Sequence, residues 1–458
     1  MTITGAARRP RLSEAALARV RPDLLIPYDR RVAARMVHLG VGAFARAHLG
    51  VYADDLLRAG WAATVHGISL RSAEPEQKLR PQDGLYTVEE GAELRLIGSF
   101  ARVSTGARAA VEAIAQPEVQ MVTLTITEKG YETGPGGRPP PAAAVLAEGL
   151  AHRRGVGGGP PVVVSLDNVA DNGKVLRERV LAAAGELDSA VAAWIADRVT
   201  FPSSVVDRMV PAPNDQVLGR IGRALGLEDR AAVATEPYRS WVIEQTEGLP
   251  PLDRVGVEVV GDVAPFERRK LWLLNGPHSA AAYAGLVAGC TTIAEAVGHP
   301  VVGPLVRRLV AETIEVCDLA ESLAPARFAE QAQRRFANAG LGHTCRQVGE
   351  DGSRKLAQRL QPVVAARRSR GRPTAGFALV VAAWIAAVAG VAVKGTTLPS
   401  PGDPSADELR AVEVGGAGRR TLVNGAIGSW GDGEFVDEVV AALHSLERSG
   451  TLAFMEGA

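Results

Sequence analysis

The amino-terminal part of the chain alternates short apolar runs with helical stretches, and this alternation restricts the folds that it can adopt. Apolar or β-branched runs predict buried strands at residues 37–41, 64–70, 119–127, 162–166 and 255–261. Helical patterns at 106–115 and 142–153 lie between them. Because strands that alternate with helices form a parallel sheet with helices on both faces, we expect an α/β fold with a mainly parallel sheet here.

The rest of the chain has a helical rather than an alternating sequence pattern. From Phe266 onward, alanine and leucine recur at helical spacing, and a single core rarely grows beyond about 250 to 300 residues. The 458 residues are therefore expected to form two domains, an α/β domain at 1–262 and a mainly α-helical domain at 263–458. The uncharged run 377–393 is short for a membrane span and rich in alanine, which predicts a buried core helix.

Charge and cysteine content narrow the class of protein. The 51 basic residues balance 51 acidic ones, so no overall field draws nucleic acid or an anionic membrane. The three cysteines form no CxxC pair and the eight histidines form no HExxH motif, and we expect neither a disulfide framework nor a metal site. The amino terminus lacks the apolar segment of a signal peptide. These features predict a cytoplasmic protein, a monomer or small homo-oligomer, that acts on a small molecule.

A glycine motif, Gly40-Val-Gly-Ala-Phe-Ala45, follows the first predicted strand and opens a helix. Gly40 permits a tight turn, Gly42 lets a pyrophosphate approach the backbone, and Ala45 is small enough for close helix packing. A phosphate group would lie at the N-terminus of that helix. The motif predicts that the α/β domain is a Rossmann-type domain that binds a dinucleotide.

The sequence after the second strand leaves the choice between NAD and NADP open. An acidic residue at the end of this strand would favour NAD by binding the ribose hydroxyls. Here the strand ends Gly67-Ile-Ser-Leu-Arg71, and no acid follows until Glu74. Arg71 fits two interpretations, a partner for the 2′-phosphate of NADP or a solvated loop arginine.

The segment from Lys270 to His278 places three polar groups in an apolar run. A lysine amine can take a hydroxyl proton, Asn275 can hold an oxygen and His278 can orient a substrate, which suits oxidation of an alcohol without a metal. At about 100° per residue, Asn275 lies about 140° and His278 about 80° from Lys270. The alternative is an amphipathic helix whose polar stripe faces solvent. Pro277 has no N–H and predicts a kink or a helix start near Asn275.

Two further pairs of polar residues lie next to apolar segments, Asp167-Asn168 and Asp207-Arg208. Asp167-Asn168 comes after the strand at 162–166, at the edge where open α/β sheets bind ligands. The Asn168 amide can donate to a substrate oxygen, or the pair forms an ordinary turn. Asp207-Arg208 lies between apolar residues, which predicts a buried ion pair with structural pairing as the simpler interpretation.

An ordered set of motifs resembles the polyol-specific long-chain dehydrogenases, also called the mannitol dehydrogenase family. The set covers roughly residues 30 to 450 and comprises the strings at 40–48, 82–86, 127–131, 165–173, 201–208, 236–244, 270–278 and 351–355. The resemblance implies a Rossmann-type domain followed by a mainly helical domain. It also implies a zinc-independent NAD(P) enzyme that interconverts a secondary alcohol and a ketone on open-chain polyols or sugar acids.

The resemblance also implies roles for individual residues. Lys270 would be the general base, Asn168 and Asn275 would polarise the reacting oxygen, His278 would position the substrate and Glu267 would relay a proton. Substrate contacts are implied at Asp207, Arg208 and Lys355. Cofactor contacts are implied at Gly40, Val41, Gly42, Phe44, Ala45, Arg46, Arg71 and Glu128.

Several substrates remain open at this point. D-mannitol oxidised to D-fructose is the representative reaction, with NAD as cofactor and NADP not excluded. The string 67–72 resembles the branch that acts on fructuronate and mannonate, for which Arg354 or Lys355 would bind the carboxylate. Mannitol 1-phosphate is a third substrate, and a dinucleotide-binding protein without catalysis is the alternative of a different class. Pro277 departs from the small residue that is usual before the histidine.

Overall fold

The computed structural model describes residues 9–396, 398–412, 418–430 and 433–453. The chain forms two compact units, Met1–Ala264 and Pro265–Ala458. The change from one unit to the other falls close to the predicted boundary at 262/263. Each unit is described below by itself.

The amino-terminal unit contains eleven strands and eight α-helices among its described residues. The strands are β1 Ala34–Leu39, β2 Thr64–Ser69, β3 Tyr86–Glu90, β4 Glu93–Ile97, β5 Arg102–Thr105, β6 Met121–Leu124, β7 Val162–Ser165, β8 Ser204–Asp207, β9 Val233–Thr235, β10 Ser240–Glu244 and β11 Glu258–Val260. The helices are α1 Ala43–Ala47, α2 Leu49–Arg58, α3 Glu74–Leu79, α4 Ala107–Ile114, α5 Pro141–Gly155, α6 Asn172–Leu187, α7 Ser189–Arg198 and α8 Asp215–Leu225.

The main sheet has the order β5-β2-β1-β6-β7, and its neighbouring strands are all parallel. The chain leaves β1 toward β2 on one side and later enters β6 on the other side. The order therefore reverses between β1 and β6, which is the switch point where open parallel sheets bind ligands. The expected Rossmann-type arrangement is confirmed.

Alternating side chains of the strands pack on opposite faces of this sheet. In β1, Met36 belongs to one core and Val37 to the other, and both are buried. The core that contains Val37 is completed by helices such as α5, through Leu146. The core that contains Met36 is completed by α2 and by the smaller sheets, through Tyr52 and Trp241. Both faces are covered, so β6 and β7 are buried along their whole length, and β1 and β2 are buried over most of theirs.

Two three-stranded sheets, β11-β10-β8 and β4-β3-β9, stand beside the main sheet. Only β11 lies within a predicted strand, and that strand is shorter than expected because Val255 belongs to a 3-10 turn. The strand predicted at 119–127 is also shorter, since it ends at Leu124. The hairpin of β3 and β4 was missed because charged residues such as Glu89 and Arg95 interrupt its apolar pattern.

The carboxy-terminal unit is helical in its described residues, as expected. Its α-helices are α9 Ala264–Lys270, α10 Gly276–Val287, α11 Ile293–Gly298, α12 Val302–Ile314, α13 Pro325–Phe336, α14 Cys345–Val348, α15 Gly352–Arg359, α16 Gln361–Arg368, α17 Ala375–Ala389, α18 Ala406–Arg410, α19 Gly418–Ile427 and α20 Gly433–Ser449. Helix α17, the core helix expected in the run 377–393, is buried along nearly its whole length and packs against α10 and α20. In the part of the chain that the structure describes, no helix has the length and apolar character needed to cross a membrane.

Candidate active site

The switch point of the main sheet carries the glycine motif. The Gly40 N–H donates to the carbonyl of Ile68 at 2.8 Å, and the Thr125 N–H donates to the carbonyl of Leu39 at 2.9 Å. These bonds extend the parallel ladder past the ends of β1 and β6. A cavity opens there, lined by Gly40, Val41, Gly42, Ser69, Leu70, Arg71, Ser72, Pro75, Thr125, Ile126, Gly130, Pro141 and Ala142. We refer to it as the crevice.

The two glycines of the motif are required for different reasons. Gly40 has φ +104°, and a Cβ placed on it would lie 2.1 Å from the Thr125 carbonyl oxygen. The protein itself therefore excludes a side chain at Gly40. Gly42 has φ −78°, and a Cβ there would meet nothing within 4 Å. The open space at Gly42 fits the close approach of a pyrophosphate, which is the reason the dinucleotide motif has a glycine at this position.

Other residues of the motif support the turn rather than face the crevice. Ala45 is fully buried at 0% exposure, and Arg46 is buried with its guanidinium donating to the Val41 carbonyl at 3.1 Å. Phe44 stacks on His48 with ring centroids 5.0 Å apart. The helix is interrupted at His48, so α1 has only five residues before α2 begins.

The described residues that line the crevice include Arg71 and no carboxylate. Among the described residues that line it, the end of β2 contributes serine, leucine and arginine. Glu128 is exposed and begins a 3-10 turn after β6, and it does not belong to the lining. The residues present fit a dinucleotide, because the glycines leave room for a pyrophosphate and the serines offer hydroxyls to a ribose.

The ends of β7 and β8 carry the two polar pairs. Asn168 is exposed immediately after β7, whereas Asp167 beside it is buried and accepts backbone hydrogen bonds from Ile126 at 2.9 Å and Thr127 at 2.8 Å. Asp207 ends β8 and pairs with Ser240 of β10. Sequence reasoning passed over Asp167, because an aspartate before an asparagine resembles an ordinary turn.

Arg208 takes a structural position. Its side chain is 0% exposed, and its guanidinium donates to the Glu90 carboxylate at 2.6 Å, to the Glu236 carbonyl at 2.9 Å and to the Ala47 carbonyl. These bonds occupy the Arg208 guanidinium inside the protein. They therefore support a structural role for Arg208, which was the simpler interpretation of the Asp207-Arg208 pair. We leave it out of the proposed substrate contacts.

The segment from Lys270 to His278 forms one continuous helix with a widened turn in the carboxy-terminal unit. Helix α9 ends at Lys270, residues Leu271–Asn275 form a π-helical turn, and α10 begins at Gly276. The Gly276 N–H bonds to the Leu271 carbonyl, five residues back. The α10 helix therefore starts where Pro277 predicts it, and Pro277 falls in its first turn, where a helix does not need the missing N–H.

The π turn brings the three polar residues together. In a π turn, residues five apart are joined by i to i+5 bonding and lie about one turn apart. Lys270 and Asn275 therefore share one face of the helix, which an unbroken α-helix would not give. His278 follows Asn275 by three residues of α-helix, and residues at that spacing lie on the same side. Lys270 and Asn275 are 9% and 7% exposed, which excludes the alternative of a solvent-facing polar stripe.

The Asn275 amide and the His278 imidazole on this face each have a buried nitrogen without a hydrogen-bond partner among the described residues. These nitrogens are Asn275 Nδ2 and His278 Nε2. The His278 ring stacks on Phe336 at 4.8 Å between centroids with an interplanar angle of 9°. Burial, reinforced by the nearby His343 and by arginine and lysine side chains, holds the pKa of His278 well below its usual range. A neutral imidazole fixed by stacking is suited to hydrogen bonding with a neutral hydroxyl.

Helix α15 is held close to α10 by two glycines. A Cβ at Gly352 would lie 2.3 Å from the Tyr283 hydroxyl, and a Cβ at Gly276 would lie 3.1 Å from the Arg359 carbonyl oxygen. Lys355 lies on this helix, half-buried and near His278. Glu267 is half-buried one turn before Lys270 in α9. The described residues contain no group of three or more histidine, cysteine, aspartate and glutamate side chains that could hold a metal ion.

A Rossmann-type unit with an open crevice and a helical unit with a buried lysine, asparagine and histidine define a dinucleotide-dependent oxidoreductase. Family models agree. Residues 34–253 match the mannitol dehydrogenase Rossmann domain, and residues 262–447 match the mannitol dehydrogenase C-terminal domain. The chain belongs to the mannitol dehydrogenase family.

Relatives and solved structures give the same result. The chain is 35% identical to D-mannonate oxidoreductase of Escherichia coli (strain K12), over 92% of this chain and 94% of that protein. It is 33% identical to mannitol 2-dehydrogenase of Pyrenophora tritici-repentis (strain Pt-1C-BFP), over 92% and 81%. Mannitol 2-dehydrogenase of Pseudomonas fluorescens, solved in a ternary complex with NAD and D-mannitol, superposes with a TM-score of 0.87 at 28% identity, over 97% of this chain and 99% of that one.

Proposed function

We propose that the chain is an NAD-dependent dehydrogenase that interconverts a secondary alcohol and a ketone on an open-chain polyol or sugar acid. The observation that carries the proposal is the π turn, which sets Lys270 and Asn275 on one buried face. The family membership and the similarity to a mannitol 2-dehydrogenase support the reaction class. D-mannitol oxidised to D-fructose is the representative reaction.

In the proposed chemistry, Lys270 is the general base that accepts the proton of the substrate hydroxyl. In its neutral form the Lys270 amine accepts the proton of the reacting hydroxyl as the carbon–oxygen double bond forms. A bound nicotinamide would accept the hydride that leaves the same carbon. Glu267, one turn earlier on α9, would pass the proton from the lysine toward solvent. General-base catalysis of this kind contributes roughly 10² to 10⁴ in rate.

The amides and the imidazole would hold the substrate oxygen and chain. Asn275 Nδ2 is buried without a partner and is free to donate to the oxygen on which alkoxide character develops. The resemblance gives Asn168 the same role. His278 Nε2, which also lacks a partner, would bind a neighbouring hydroxyl. Asp207 would be a further substrate contact.

NAD is the proposed cofactor, with NADP as the alternative outcome. The similar ternary complex contains NAD, and the chain's crevice offers space at Gly42 for a pyrophosphate. Arg71 on the rim, with no carboxylate in the described lining, is the feature that would favour NADP. A comparison of NADH with NADPH therefore belongs in any assay.

A sugar acid is the second candidate substrate, and a cluster of positive charge favours it. Within the carboxy-terminal unit, Arg359, Arg335 and Lys355 lie near enough to His278 for their positive charges to add to burial in lowering its pKa. Such a cluster suits a substrate with a carboxylate, such as D-mannonate, or with a phosphate, such as mannitol 1-phosphate. The similarity to a D-mannonate oxidoreductase supports the carboxylate.

A spectrophotometric screen tests these proposals. NADH and NADPH are each combined with fructose, fructuronate, tagaturonate and fructose 6-phosphate, and oxidation is followed by loss of reduced-cofactor absorbance. Oxidation of NADH with fructose supports the representative reaction, and a higher kcat/KM for fructuronate supports the sugar acid. Cofactor binding without oxidation for every ketone would instead indicate a dinucleotide-binding protein without catalysis.

A further inference from the structure

Thr127 has a backbone conformation that is rare for a threonine. Its φ is +66° and its ψ is 165°, a region that is essentially restricted to glycine and is least tolerated by β-branched residues. Thr127 follows Thr125 and Ile126, which line the crevice. Such a conformation persists only where the surrounding structure holds it in place, and it is enriched at functional sites.

The Asp167 carboxylate holds this backbone. Oδ1 accepts the Ile126 N–H at 2.9 Å and the Thr127 N–H at 2.8 Å, and Oδ2 accepts the Tyr131 hydroxyl at 2.8 Å. The Tyr131 hydroxyl also lies 2.6 Å from Ser165 Oγ at the end of β7. One carboxylate therefore binds the beginning and the end of the loop 125–131. Hydrogen bonds to an ionised acceptor are about twice as strong as neutral ones.

The charge on Asp167 is unfavourable for stability. The pKa of this carboxyl is raised to about 6, because burial and the negative charge of Glu128 outweigh the hydrogen bonds from Ile126, Tyr131 and Thr127, which lower it. The Tyr131 hydroxyl itself has a raised pKa because it is buried next to Asp167. Because the folded form binds a proton more tightly than the unfolded chain, the contribution of Asp167 to stability falls as pH rises from about 4 to about 6. A carboxylate ionised in spite of this cost points to a role beyond folding.

The same short segment carries Asn168. The Asp167 carbonyl accepts the Val169 N–H at 2.9 Å and the Asn172 side-chain amide at 3.1 Å, so the turn after β7 is held from both sides. A displacement of Asp167 would move Asn168 with it. The wall of the crevice and Asn168 are thus linked through one residue, by the carboxylate of Asp167 on one side and by its backbone on the other.

We propose that Asp167 is a positioning residue, whose ionised carboxylate keeps Thr127 in its strained conformation and thereby fixes the loop 125–131 and Asn168 relative to the crevice. This inference rests on the proposed function of the crevice as a dinucleotide site. It requires no contact between Asp167 and the cofactor or the substrate.

A double-mutant cycle tests the inference by direct NADH binding. Asp167→Asn removes the negative charge and places an amide N–H₂ where Oδ2 accepts the Tyr131 hydroxyl and, at 3.1 Å, the Ile126 N–H, so the dissociation constant of NADH is expected to rise about 10-fold or more. Thr127→Gly alone is expected to change it less than about 3-fold, because glycine adopts this backbone without strain. In the Thr127→Gly background, the effect of Asp167→Asn is expected to be at least 3-fold smaller. Equal effects in both backgrounds would overturn the inference.

The pH dependence gives a second readout that a purely structural residue would not show. In the unmutated chain, NADH binding is expected to weaken as pH falls through about 6, where Asp167 gains a proton. The Asp167→Asn variant should lack this decline, and the exposed Asp197→Asn control should keep it. A decline that survives in Asp167→Asn contradicts the role.

Hydrogen exchange separates this inference from the proposed function. Exchange of the Ile126 and Thr127 amides should accelerate at least 10-fold in Asp167→Asn, whether or not NADH binds. Tyr131→Phe, which removes one donor but keeps the carboxylate, should give a smaller acceleration and serves if Asp167→Asn does not fold. Unchanged exchange in both variants overturns the inference that Asp167 holds the backbone of Ile126 and Thr127. Absence of NADH binding by the unmutated chain overturns the proposed function alone.

Discussion

Gly40 and the Thr125 carbonyl oxygen approach so closely that a Cβ on Gly40 would lie 2.1 Å from that oxygen. The contact joins the ends of β1 and β6 at the switch point of the main sheet. It explains why the protein needs a glycine there even without a ligand. Gly42, two residues later, has no such neighbour.

The two glycines should therefore respond differently to alanine. Gly40→Ala adds a clash and a strained φ of +104°, and each effect costs about 1 to 3 kcal/mol. A fall in melting temperature of several degrees is expected. Gly42→Ala should keep the melting temperature within about 1 °C and raise the NADH dissociation constant about 10-fold or more, because the added methyl group meets only the ligand. A destabilised Gly42→Ala variant would contradict this division.

Asn275→Ala should lower kcat by roughly 10² with a smaller effect on KM. The reason is that the Asn275 amide stabilises charge that develops on oxygen only as the reaction proceeds. Steady-state kinetics with the best substrate of the screen check this, with the exposed Gln331→Ala of α13 as the control. An effect confined to KM would show that Asn275 binds the substrate uniformly and is not an oxyanion group.

Lys355 should distinguish anionic from neutral substrates. Lys355→Gln removes a charge from the cluster near His278, so KM for fructuronate is expected to rise about 10-fold and KM for fructose less than about 3-fold. The exposed Gln358→Ala on the same helix is the matched control. Equal increases for both ketones would assign Lys355 to a hydroxyl shared by the two substrates.

Stability of the amino-terminal unit should decrease in acid. Burial lowers the pKa of His38 to about 4, of His48 to about 3 and of His66 to about 4. Below pH 6.5 the unfolded chain binds protons at these positions and the folded chain does not, so stability is present above that pH and is lost as pH falls. The three histidines together contribute a slope of at most about 4 kcal/mol per pH unit, and Asp167 partly offsets it because its pKa is raised.

Urea unfolding at pH 7.5, 6.5 and 5.5 measures this slope. The His66→Gln variant should show a slope smaller by about one proton, whereas the exposed His152→Gln variant should match the unmutated chain. Stability that stays constant from pH 7.5 to 5.5 would show that these histidines are solvated in the folded state.

The sequence predicted the parts of the fold that depend on continuous apolar patterns. The strands at Thr64–Ser69 and Val162–Ser165 were located because both faces of the sheet are covered, which favours runs of apolar and β-branched residues. The strand Ser204–Asp207 was not, because it is four residues long and half polar. Short strands of this kind depend on their partners in the sheet, which residue patterns do not contain.

Residue patterns also located the polar groups of the site without their arrangement. A helical wheel separated Lys270 from Asn275 by about 140°. This angle does not apply in the structure, because the π turn adds a residue to the helical turn and sequence periodicity does not reveal it. Pro277 was the one feature of the segment that indicated an irregular helix here. The links from Asp167 to Thr127 and from His278 to Phe336 join distant segments, and such contacts form only when the chain is folded.

The proton acceptor is the central claim, and one variant tests it most directly. Lys270→Ala is compared with the unmutated chain for turnover at pH 7 and for NADH affinity measured by fluorescence titration without a ketone. The account predicts at least a 10³-fold loss of kcat with an NADH dissociation constant within about 3-fold of the original. Undiminished turnover in Lys270→Ala would contradict it.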